Sequence, residues 1–426
     1  MRRILLLMTS NTYRARAFLA AAESLGVAVV VGTDKAQVLA AANPAGNLTL
    51  DFHVPERGAE RVLAYAREHP IAAVVAADDE GVLLAAYVSA ALGLASSPVE
   101  AIAAARNKRL GRERHAAAGL KVPRYWTAAV AEDARELARR VRYPCVLKPL
   151  ALSASRGVIR ADNEIEFRAA HRRLLAILAE RELAKLPGTL ASEILIESFI
   201  PGFEVSLEGL MSEGRLRVLA LFDKPDPLDG PFFEETIYVT PSRHGAEVVA
   251  AIAATTQDAV AALGLTHGPI HAELRVNAAG VWPLEIAPRS IGGLCARSLL
   301  FTSSAGDALV SLEELILRQA LGEDVSGYAR ERRPSGVMMI PIPRAGLLAE
   351  VKGLDAAAEV PGVDDLSITV PRGQRLVPLP EGSRYLGFIF AHAETAAEVE
   401  AALRRAHANL EIVISPDPEV AGPAPC

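Results

Sequence analysis

The sequence has few cysteines and no excess of basic residues. Its three cysteines, Cys145, Cys295 and Cys426, form no CxxC pair, so neither a disulfide framework nor a structural zinc site is predicted. It has 45 lysines and arginines against 51 aspartates and glutamates, a net charge of −6. Proteins that coat nucleic acid concentrate basic residues to displace counterions, and this composition argues against that class.

Long apolar segments are also missing. A helix that spans a bilayer needs about 18 consecutive apolar residues, and no uninterrupted run reaches that length. After Met1-Arg2-Arg3 only five apolar residues follow, at positions 4–8, whereas a secretory signal needs at least about 7. We therefore expect a cytoplasmic protein with no membrane partner.

The chain nevertheless has enough apolar sequence for a large core. Of its 426 residues, 51% are apolar and 23% are charged. A disordered regulator is excluded, because such chains bury too little apolar surface to offset the entropy of ordering. The length predicts two or three domains.

Residues 1–95 alternate short apolar runs with alanine-rich helical stretches. The runs at 4–8, 27–32 and 71–76 are continuously apolar, as are strands buried on both faces of a parallel sheet. This alternation predicts an open, doubly wound α/β domain. The first run is followed by Thr9-Ser10-Asn11-Thr12 and not by GxGxxG, so a dinucleotide site of the usual kind is not predicted.

A domain boundary is predicted near residue 95. The motif Ser97-Pro98-Val99-Glu100 predicts a helix with Ser97 as N-cap and Glu100 closing a capping box. We expect this helix to carry Lys108. An apolar strand at 145–148 follows, then a loop of small residues at 152–157.

The rest of the chain changes character twice. A helix is predicted from N-cap Asn163 to about residue 186. Apolar and polar residues then alternate with a period of two, which predicts antiparallel strands. Residues beyond 330 predict a smaller α+β domain, and its proline-rich end at 416–426 is expected to fray. The predicted elements are strands at 194–197, 204–211 and 215–222, a helix at 247–263, strands at 337–342 and 385–391, and a helix at 395–408.

The most informative segment is a pair of strands rich in charged residues. Residues 271–276 read HAELRV, residues 281–286 read VWPLEI, and Ala278-Ala279-Gly280 lies between them. A three-residue hairpin loop places Glu273 opposite Glu285. Opposed carboxylates repel each other, and Mg²⁺ between them reverses the sign of that interaction. On spacing alone, a polar face that is merely solvated is an equal alternative.

Residues just beyond Glu285 favour the metal interpretation. The guanidinium of Arg289 suits a transferring phosphoryl group, and Gly292-Gly293 lets the backbone approach a ligand closely. Earlier in the chain, Lys148 leaves an apolar strand toward a loop, Ser153 to Gly157, that can offer hydroxyls and backbone N–H groups to phosphate oxygens. A surface lysine is the commoner alternative for Lys148.

In this order the residues resemble the ATP-grasp superfamily of carboxylate–amine ligases, and the tail resembles the C-terminal domain of the L-amino-acid ligases. The resemblance covers nearly the whole chain. It implies an α/β and α+β ATP-grasp fold with an N-terminal parallel domain at 1–95, two ATP-clasping lobes at 96–190 and 191–330, and a C-terminal α+β domain at 331–426.

The resemblance also implies roles for individual residues. Arg289 matches the arginine that steadies the transferring phosphate, and His271 is a candidate for contact with substrate or intermediate, although a structural histidine is an equal alternative. Glu273 and Glu285 match the metal ligands. The ATP-binding residues implied are Lys108, Lys148, Ser153, Ser155, Gly157, Glu197, Phe199 and Glu204. The candidate substrate residues are Glu234, Glu235, Gly292 and Gly293.

One position departs from the family pattern. Many members have Glu-x-Asn-x-Arg where this sequence has Glu285-Ile286-Ala287-Pro288-Arg289, and Ala287 has no donor atom for a second metal. The dipeptide-forming branch looks similar in tolerating this loss. The change therefore points as much toward that branch as toward an inactive protein.

The implied activity is ATP-dependent amide formation through an acyl phosphate, with ADP and phosphate released. The implied cofactors are ATP and one or two Mg²⁺ ions, with Mn²⁺ as a substitute. The implied substrates are a small carboxylate and an amine, most simply two amino acids, and a homodimer is expected. The alternatives are a ligase or carboxylating enzyme that acts on a nucleotide precursor or bicarbonate, and an ATP-binding scaffold without turnover.

Overall fold

The computed structural model describes residues 1–10, 12–36, 43, 45–304 and 306–417. Asn11, which follows the first predicted strand, lies outside these residues. So do Cys426 and most of the proline-rich end that is predicted to fray, from 418 onward.

The N-terminal region is the predicted open parallel sheet. Its strands pair in the order β3-β2-β1-β4, all parallel. Ile4 and Leu6 face one apolar core, and Leu5 and Leu7 face another, which explains the continuous apolar run. The elements are β1 (Arg3–Met8), α1 (Ala15–Ser24), β2 (Ala28–Thr33), β3 (Asn47–Thr49), α2 (Pro55–Ala66), β4 (Ala73–Ala76) and α3 (Val82–Leu92).

Two short helices replace the single predicted helix after residue 97. They are α4 (Val99–Ala105) and α5 (Lys108–Ala117). The predicted Ser97 cap is wrong: no side chain caps α4, and the Ser97 hydroxyl instead donates to His267 O at 2.8 Å. Asn107 caps α5 by accepting two backbone N–H groups, which makes Lys108 the first residue of a new helix, because Asn is among the strongest N-caps.

An antiparallel four-stranded sheet follows, in the order β5-β8-β6-β7. The predicted Asn163 cap is confirmed, but the long helix ends at Leu178 and does not reach residue 186. Residues 179–182 are exposed, so no packing supports further turns. The elements are β5 (Tyr125–Ala129), α6 (Ala134–Arg140), β6 (Cys145–Pro149), β7 (Ile159–Ala161), α7 (Glu164–Leu178) and β8 (Glu193–Ser198).

The remaining elements build one large sheet and two small ones. The strands are β9 (Phe203–Ser212), β10 (Arg215–Lys224), β11 (Ile237–Thr240), β12 (Gly268–Asn277), β13 (Gly280–Ala287), β14 (Leu300–Ser303), β15 (Gly306–Ser311), β16 (Tyr328–Arg330), β17 (Ser335–Ile340), β18 (Gly346–Lys352), β19 (Val363–Ile368), β20 (Arg375–Leu376), β21 (Gly387–His392) and β22 (Glu411–Ser415). The helices are α8 (Ala246–Leu263), α9 (Leu312–Ala320), α10 (Leu354–Ala358) and α11 (Ala396–Ala408).

The large sheet crosses the predicted boundary at residue 330. Its eight strands pair in the order β13-β12-β9-β10-β11-β17-β21-β19, and the small sheets are β15-β14-β16 and β20-β18-β22. The antiparallel pair β11 and β17 joins the two halves. Strands from the predicted C-terminal domain therefore extend the sheet that carries Glu273 and Glu285.

The hairpin β12–β13 has a tighter loop than the sequence predicts. Asn277 pairs with Gly280, so the loop has two residues and not three. The Asn277 side chain accepts the N–H of Ala279 at 2.9 Å, which favours the tight turn. A bulge at Leu284 then restores the register, and Glu273 pairs with Glu285 as predicted.

One helix of the described residues, α8, is long and apolar enough to cross a membrane by length and composition. Its Ile252, Val260 and Leu263 are buried in the core that it shares with β9 and β12.

Candidate active site

One cavity of about 530 Å³ lies where the three larger sheets meet. Residues from the carboxyl ends of β1 and β4, from β6 and its following loop, from the β9–β13 region and from the segment before β21 line it. Except for Gly157 and Glu234, every site residue that the sequence predicts lines this cavity. Predicted site residues up to 185 positions apart in the chain, from Lys108 to Gly293, therefore come together, and Lys108 lies near Glu285.

The two predicted phosphate lysines approach the cavity from different elements. Lys108 begins α5 and places Nζ 2.9 Å from Leu152 O and 3.1 Å from Glu285 Oε2. Lys148 lies on β6 with Nζ 2.7 Å from Glu197 Oε2. Both side chains are mostly buried, which strengthens their attraction for a negatively charged ligand.

Glu197 is held by two cations and does not present a free carboxylate. Arg112 Nε lies 2.5 Å from its Oε1, and Lys148 contacts its other oxygen. Burial alone would raise the pKa of Glu197, but Arg112 and Lys148 lower it to about 2. Arg112 was not predicted from the sequence. The available signal was its position four residues after Lys108, which places both side chains on one face of α5.

The loop after β6 turns sharply beside the cavity. Ala154 and Ser155 both have φ of 54°, a region that non-glycine residues rarely adopt. Gly157, with φ of 72°, donates its N–H to Pro380 O at 2.9 Å. Gly157 therefore shapes the loop and anchors it to the segment before β21, while Ser153 and Ser155 line the cavity.

A buried lysine that was not predicted from the sequence lies at the end of β10. Lys224 is 2% exposed, with Nζ 2.8 Å from Glu204 Oε1, in contact with Glu235, and 3.7 Å from Glu273 Oε1. Burial would lower the pKa of Lys224, but the three carboxylates raise it well above its ordinary value. Oxygens of Glu204, Glu235 and Glu273 lie within 4.8 Å of one another, a spacing that suits a metal ion, and the Lys224 ammonium offsets part of their negative charge.

Glu273 and Glu285 fit the predicted metal role in chemistry and placement. They are cross-strand partners, and their side chains are 24% and 30% exposed, toward one cavity. Paired carboxylates with room for water and phosphate oxygens match what Mg²⁺ prefers. Burial would raise the pKa of Glu273, but Lys224 and His271 hold it well below its ordinary value. Ala287 is buried opposite His271 and offers no side-chain donor.

His271 is buried next to Glu273. Its Nδ1 contacts Glu208, and its Nε2 lies 3.4 Å from Glu273 Oε1. Burial would lower the pKa of His271, but Glu208 and Glu273 raise it to about 9. Glu208 also accepts the N–H of Ile291 at 2.9 Å, which ties the segment after Arg289 to the same group.

Arg289 lies between the N-terminal sheet and the two carboxylates Glu273 and Glu285. Its Nη1 donates to Ser290 O at 2.9 Å, and its Nε is 3.7 Å from Asp79 Oδ1. Burial would lower the pKa of Arg289, but Asp79 and Glu285 raise it. Asp79 follows β4 in the N-terminal domain, so that domain helps to hold Arg289.

The two candidate substrate glycines, Gly292 and Gly293, have different structural roles. A Cβ on Gly292 would lie 3.9 Å from Arg289 Nη1, so the backbone there runs beside the guanidinium. Gly293 has φ of 58°, and a Cβ would meet the Phe388 ring at 3.0 Å. The requirement for glycine at 293 therefore comes from backbone conformation and packing.

Aromatic and cationic groups border the cavity beyond Glu197. Phe199 stacks with Phe233 at a centroid distance of 6.4 Å, and Arg160 and Arg275 lie 4.2 and 4.9 Å from its ring. Arg275 Nε is also 3.0 Å from Glu204 Oε2. A flat, partly buried surface of this kind suits a base and its ribose.

Three parts of the chain match known domain families. Residues 141–298 match the ATP-grasp domain, residues 19–96 match the ATP-grasp N-terminal domain, and residues 338–415 match the L-amino acid ligase C-terminal domain 2. The chain therefore contains an ATP-grasp domain and an ATP-grasp N-terminal domain. An L-amino acid ligase from Bacillus licheniformis has a similar solved structure, with a TM-score of 0.82 and 27% identity, covering 97% of this ATP-grasp protein and all of that chain.

Curated relatives match over shorter stretches. Dapdiamide A synthase from Enterobacter agglomerans is 28% identical over 57% of this chain and 56% of its own length. Alanine–anticapsin ligase from Bacillus subtilis is 28% identical over 43% of this chain and 41% of its own length. An uncharacterised protein from Sinorhizobium fredii is 27% identical over 74% of this chain and 63% of its own length. The chain thus spans less than two thirds of each of these relatives.

Proposed function

We propose that this ATP-grasp protein is a carboxylate–amine ligase that joins two amino acids, or an amino acid and a related amine, using MgATP. The observation that carries the proposal is the convergence of Lys108, Lys148, Glu273, Glu285 and Arg289 on one cavity. The similarity to an L-amino acid ligase over nearly the whole chain supports an amino acid as the carboxylate substrate.

In this proposal the substrate carboxylate attacks the γ-phosphorus of ATP. The bond between that phosphorus and the β–γ bridging oxygen breaks, ADP leaves, and an acyl phosphate forms. The amine nitrogen then attacks the acyl carbon, loses a proton, and displaces inorganic phosphate. Catalysis comes from positioning and charge neutralisation, as in other phosphoryl transfers.

The position and charge of each cavity residue indicate its role in this reaction. Lys108 and Lys148 bind phosphate oxygens, and Arg289 stabilises the charge on the transferring group. Glu273 and Glu285 hold Mg²⁺, which neutralises charge on the phosphate oxygens when it is bound. Phe199 and Glu204 border the base and ribose.

The substrate amine has a matching acidic group. Glu235 lines the cavity next to Lys224 and Tyr238, whereas Glu234 lies outside it. Burial raises the pKa of Glu235, so an ammonium group there would favour its ionised form. We assign Glu235, and not Glu234, to the ammonium of an amino-acid substrate.

The test is phosphate release from MgATP across a matrix of single and paired amino acids, with mass spectrometry of the active wells. We expect phosphate together with a product whose mass is that of the pair minus water. Phosphate release only with a nucleotide precursor or bicarbonate would replace the proposal with a carboxylating or nucleotide-type ligase. MgATP binding without phosphate release in any well would support a scaffold.

The matched control is Glu285→Gln, which keeps the size of the side chain and removes the charge. Because Glu285 is partly exposed, we expect normal folding and a loss of turnover on the order of 100-fold, similar to the loss of one transition-state contact. Full activity in this variant would show that the metal assignment is wrong.

A further inference from the structure

Arg112 is a buried arginine that the proposed chemistry does not use. It lies on α5, and only 4% of its side chain is exposed. Its guanidinium contacts both oxygens of Glu197, with Nε at 2.5 Å and Nη2 at 3.5 Å. The other side of the same group donates to two backbone carbonyls, Pro283 O at 3.1 Å and Leu284 O at 2.6 Å.

The first pair of contacts changes the charge around Lys148. Glu197 holds Lys148 in place, but a carboxylate paired with one lysine alone would cancel the charge of that lysine. With Arg112 present, two cations share one anion. The group keeps one net positive charge, and Lys148 is the cation of the group that lines the cavity.

The second pair of contacts lies in the bulge before Glu285. Leu284 is the extra residue that restores the register between β12 and β13. Bulges leave a residue without a ladder partner, and a buried carbonyl without a donor is costly. Arg112 supplies donors to the carbonyls of Leu284 and of Pro283 before it, so the position of Glu285 opposite Glu273 depends on an arginine from α5.

We propose that Arg112 is a positioning residue for MgATP: it neutralises Glu197 so that Lys148 is held without losing its charge, and it fixes the bulge that aligns Glu285 with Glu273. The proposal rests on the proposed function for the identity of the ligand. It concerns nucleotide binding, so it can be tested without turnover.

The test measures the Kd for MgATP by calorimetry in the full-length protein. Arg112→Met removes the cation and leaves Glu197 to neutralise Lys148, so we expect the Kd to rise at least about tenfold. Glu197→Gln added to Arg112→Met removes both buried charges. We expect the double variant to recover most of the affinity, because Glu197 no longer cancels the charge of Lys148.

Arg112→Lys separates the two roles. Lysine keeps the charge but lacks the rigid, forked guanidinium of arginine. It therefore cannot contact a carboxylate and two carbonyls at the same time. We expect a Kd for ATP within about threefold of wild type at saturating Mg²⁺, and a higher Mg²⁺ concentration for half-maximal binding. An unchanged Mg²⁺ requirement would overturn the role assigned to the bulge.

Arg114 provides a matched control on the same helix. Its guanidinium also donates to two backbone carbonyls, Leu263 O at 2.6 Å and Glu100 O at 3.4 Å, and does not line the cavity. We expect Arg114→Met to lower the melting temperature without changing the Kd. If Arg112→Met behaves in the same way, or if the double variant recovers no affinity, Arg112 is only structural and the inference is wrong.

These results are separable from the ligase proposal. A wild-type protein that binds MgATP but releases no phosphate would contradict the proposed function, while the Kd values of the Arg112 variants would still decide this inference.

Discussion

Two buried charged centres border the cavity, and they differ in the sign of their excess charge. The Glu197 centre, made of Glu197, Arg112 and Lys148, has one more cation than anions. The Lys224 centre has one more anion than cations, and its members are Lys224, Arg275, Glu204, Glu235 and Glu273. Burial alone would raise the pKa of a carboxylate in either centre, so the neighbouring charges decide the outcome.

The pKa values of Glu197 and Glu235 differ in that direction, while Lys224 and His271 hold the pKa of Glu273 in the second centre low. In the Glu197 centre the pKa of the carboxylate falls to about 2, whereas in the Lys224 centre burial and the neighbouring Glu273 raise the pKa of Glu235. An anionic ligand is favoured where cations are in excess, and a cation or an ammonium group where anions are in excess. The cavity therefore suits phosphates beside the Glu197 centre and a metal or an amine beside the Lys224 centre.

Removing the central cation of the Lys224 centre should have the largest effect. Lys224→Met leaves three carboxylates together without their buried counter-charge, so we expect a loss of about 3–5 kcal/mol in the free energy of unfolding. The loss should be larger at pH 8 than at pH 5.5, because repulsion raises the folded-state pKa of the cluster and the stability falls as the carboxylates ionise. Urea unfolding at the two pH values measures this.

Lys352→Met is the control for that change, because Lys352 pairs with Glu411 on the surface and should lose less than about 1 kcal/mol. The same loss for Lys224→Met at both pH values would mean that the cluster is not held by charge.

The Glu197 centre should weaken in acid. The pKa of Glu197 lies at about 2 in the folded protein against an ordinary 4.5, a difference of about 3 kcal/mol. This stabilisation is present above pH 4.5 and is lost as the pH falls toward 2. The difference in unfolding free energy between wild type and Glu197→Gln should therefore shrink below pH 4.5. A difference independent of pH down to 3 would contradict the ion-pair account.

His271, beside the Lys224 centre, should behave in the opposite direction. Its pKa of about 9 lies above an ordinary 6.5, so its stabilisation is complete below pH 6.5 and is lost as the pH rises through 9. We expect the destabilisation of His271→Gln to be on the order of 3 kcal/mol at pH 6 and to shrink toward pH 9.5. Chemical denaturation over this range is the measurement, and a growing difference would show that His271 is neutral in the folded state.

The smallest effect is expected at an exposed ion pair that links α7 to the segment before β21. Arg173 Nε lies 2.7 Å from Glu381 Oε1, with both side chains about 40% exposed. Because surface pairs contribute little, Arg173→Ala should cost less than about 1 kcal/mol and should change the KM for MgATP by less than about threefold. High salt should reduce even that change. A larger effect that high salt does not reduce would show that this ion pair contributes as strongly as the ion pairs of the two buried centres.

Local sequence pattern predicted the elements that depend on neighbouring residues. Continuous apolar runs gave β1, β2 and β4, because strands buried on both faces need apolar residues at every position. The period-two pattern placed Glu273 opposite Glu285, although the predicted loop was one residue too long and only the bulge at Leu284 corrected the register. The family resemblance supplied the order of the domains.

Tertiary structure decided which charges meet. Arg112 and Glu197 are 85 residues apart, and Lys224 meets Glu204 from 20 residues away. No periodicity encodes such distances, and a buried lysine has the same letter as a surface one. The sequence determined which strands and which carboxylates this protein has, because strand formation depends on the pattern of residues that are close together in the chain. Only the packed structure decided the excess charge of each centre, because burial makes the interaction between charges strong and burial depends on the whole fold.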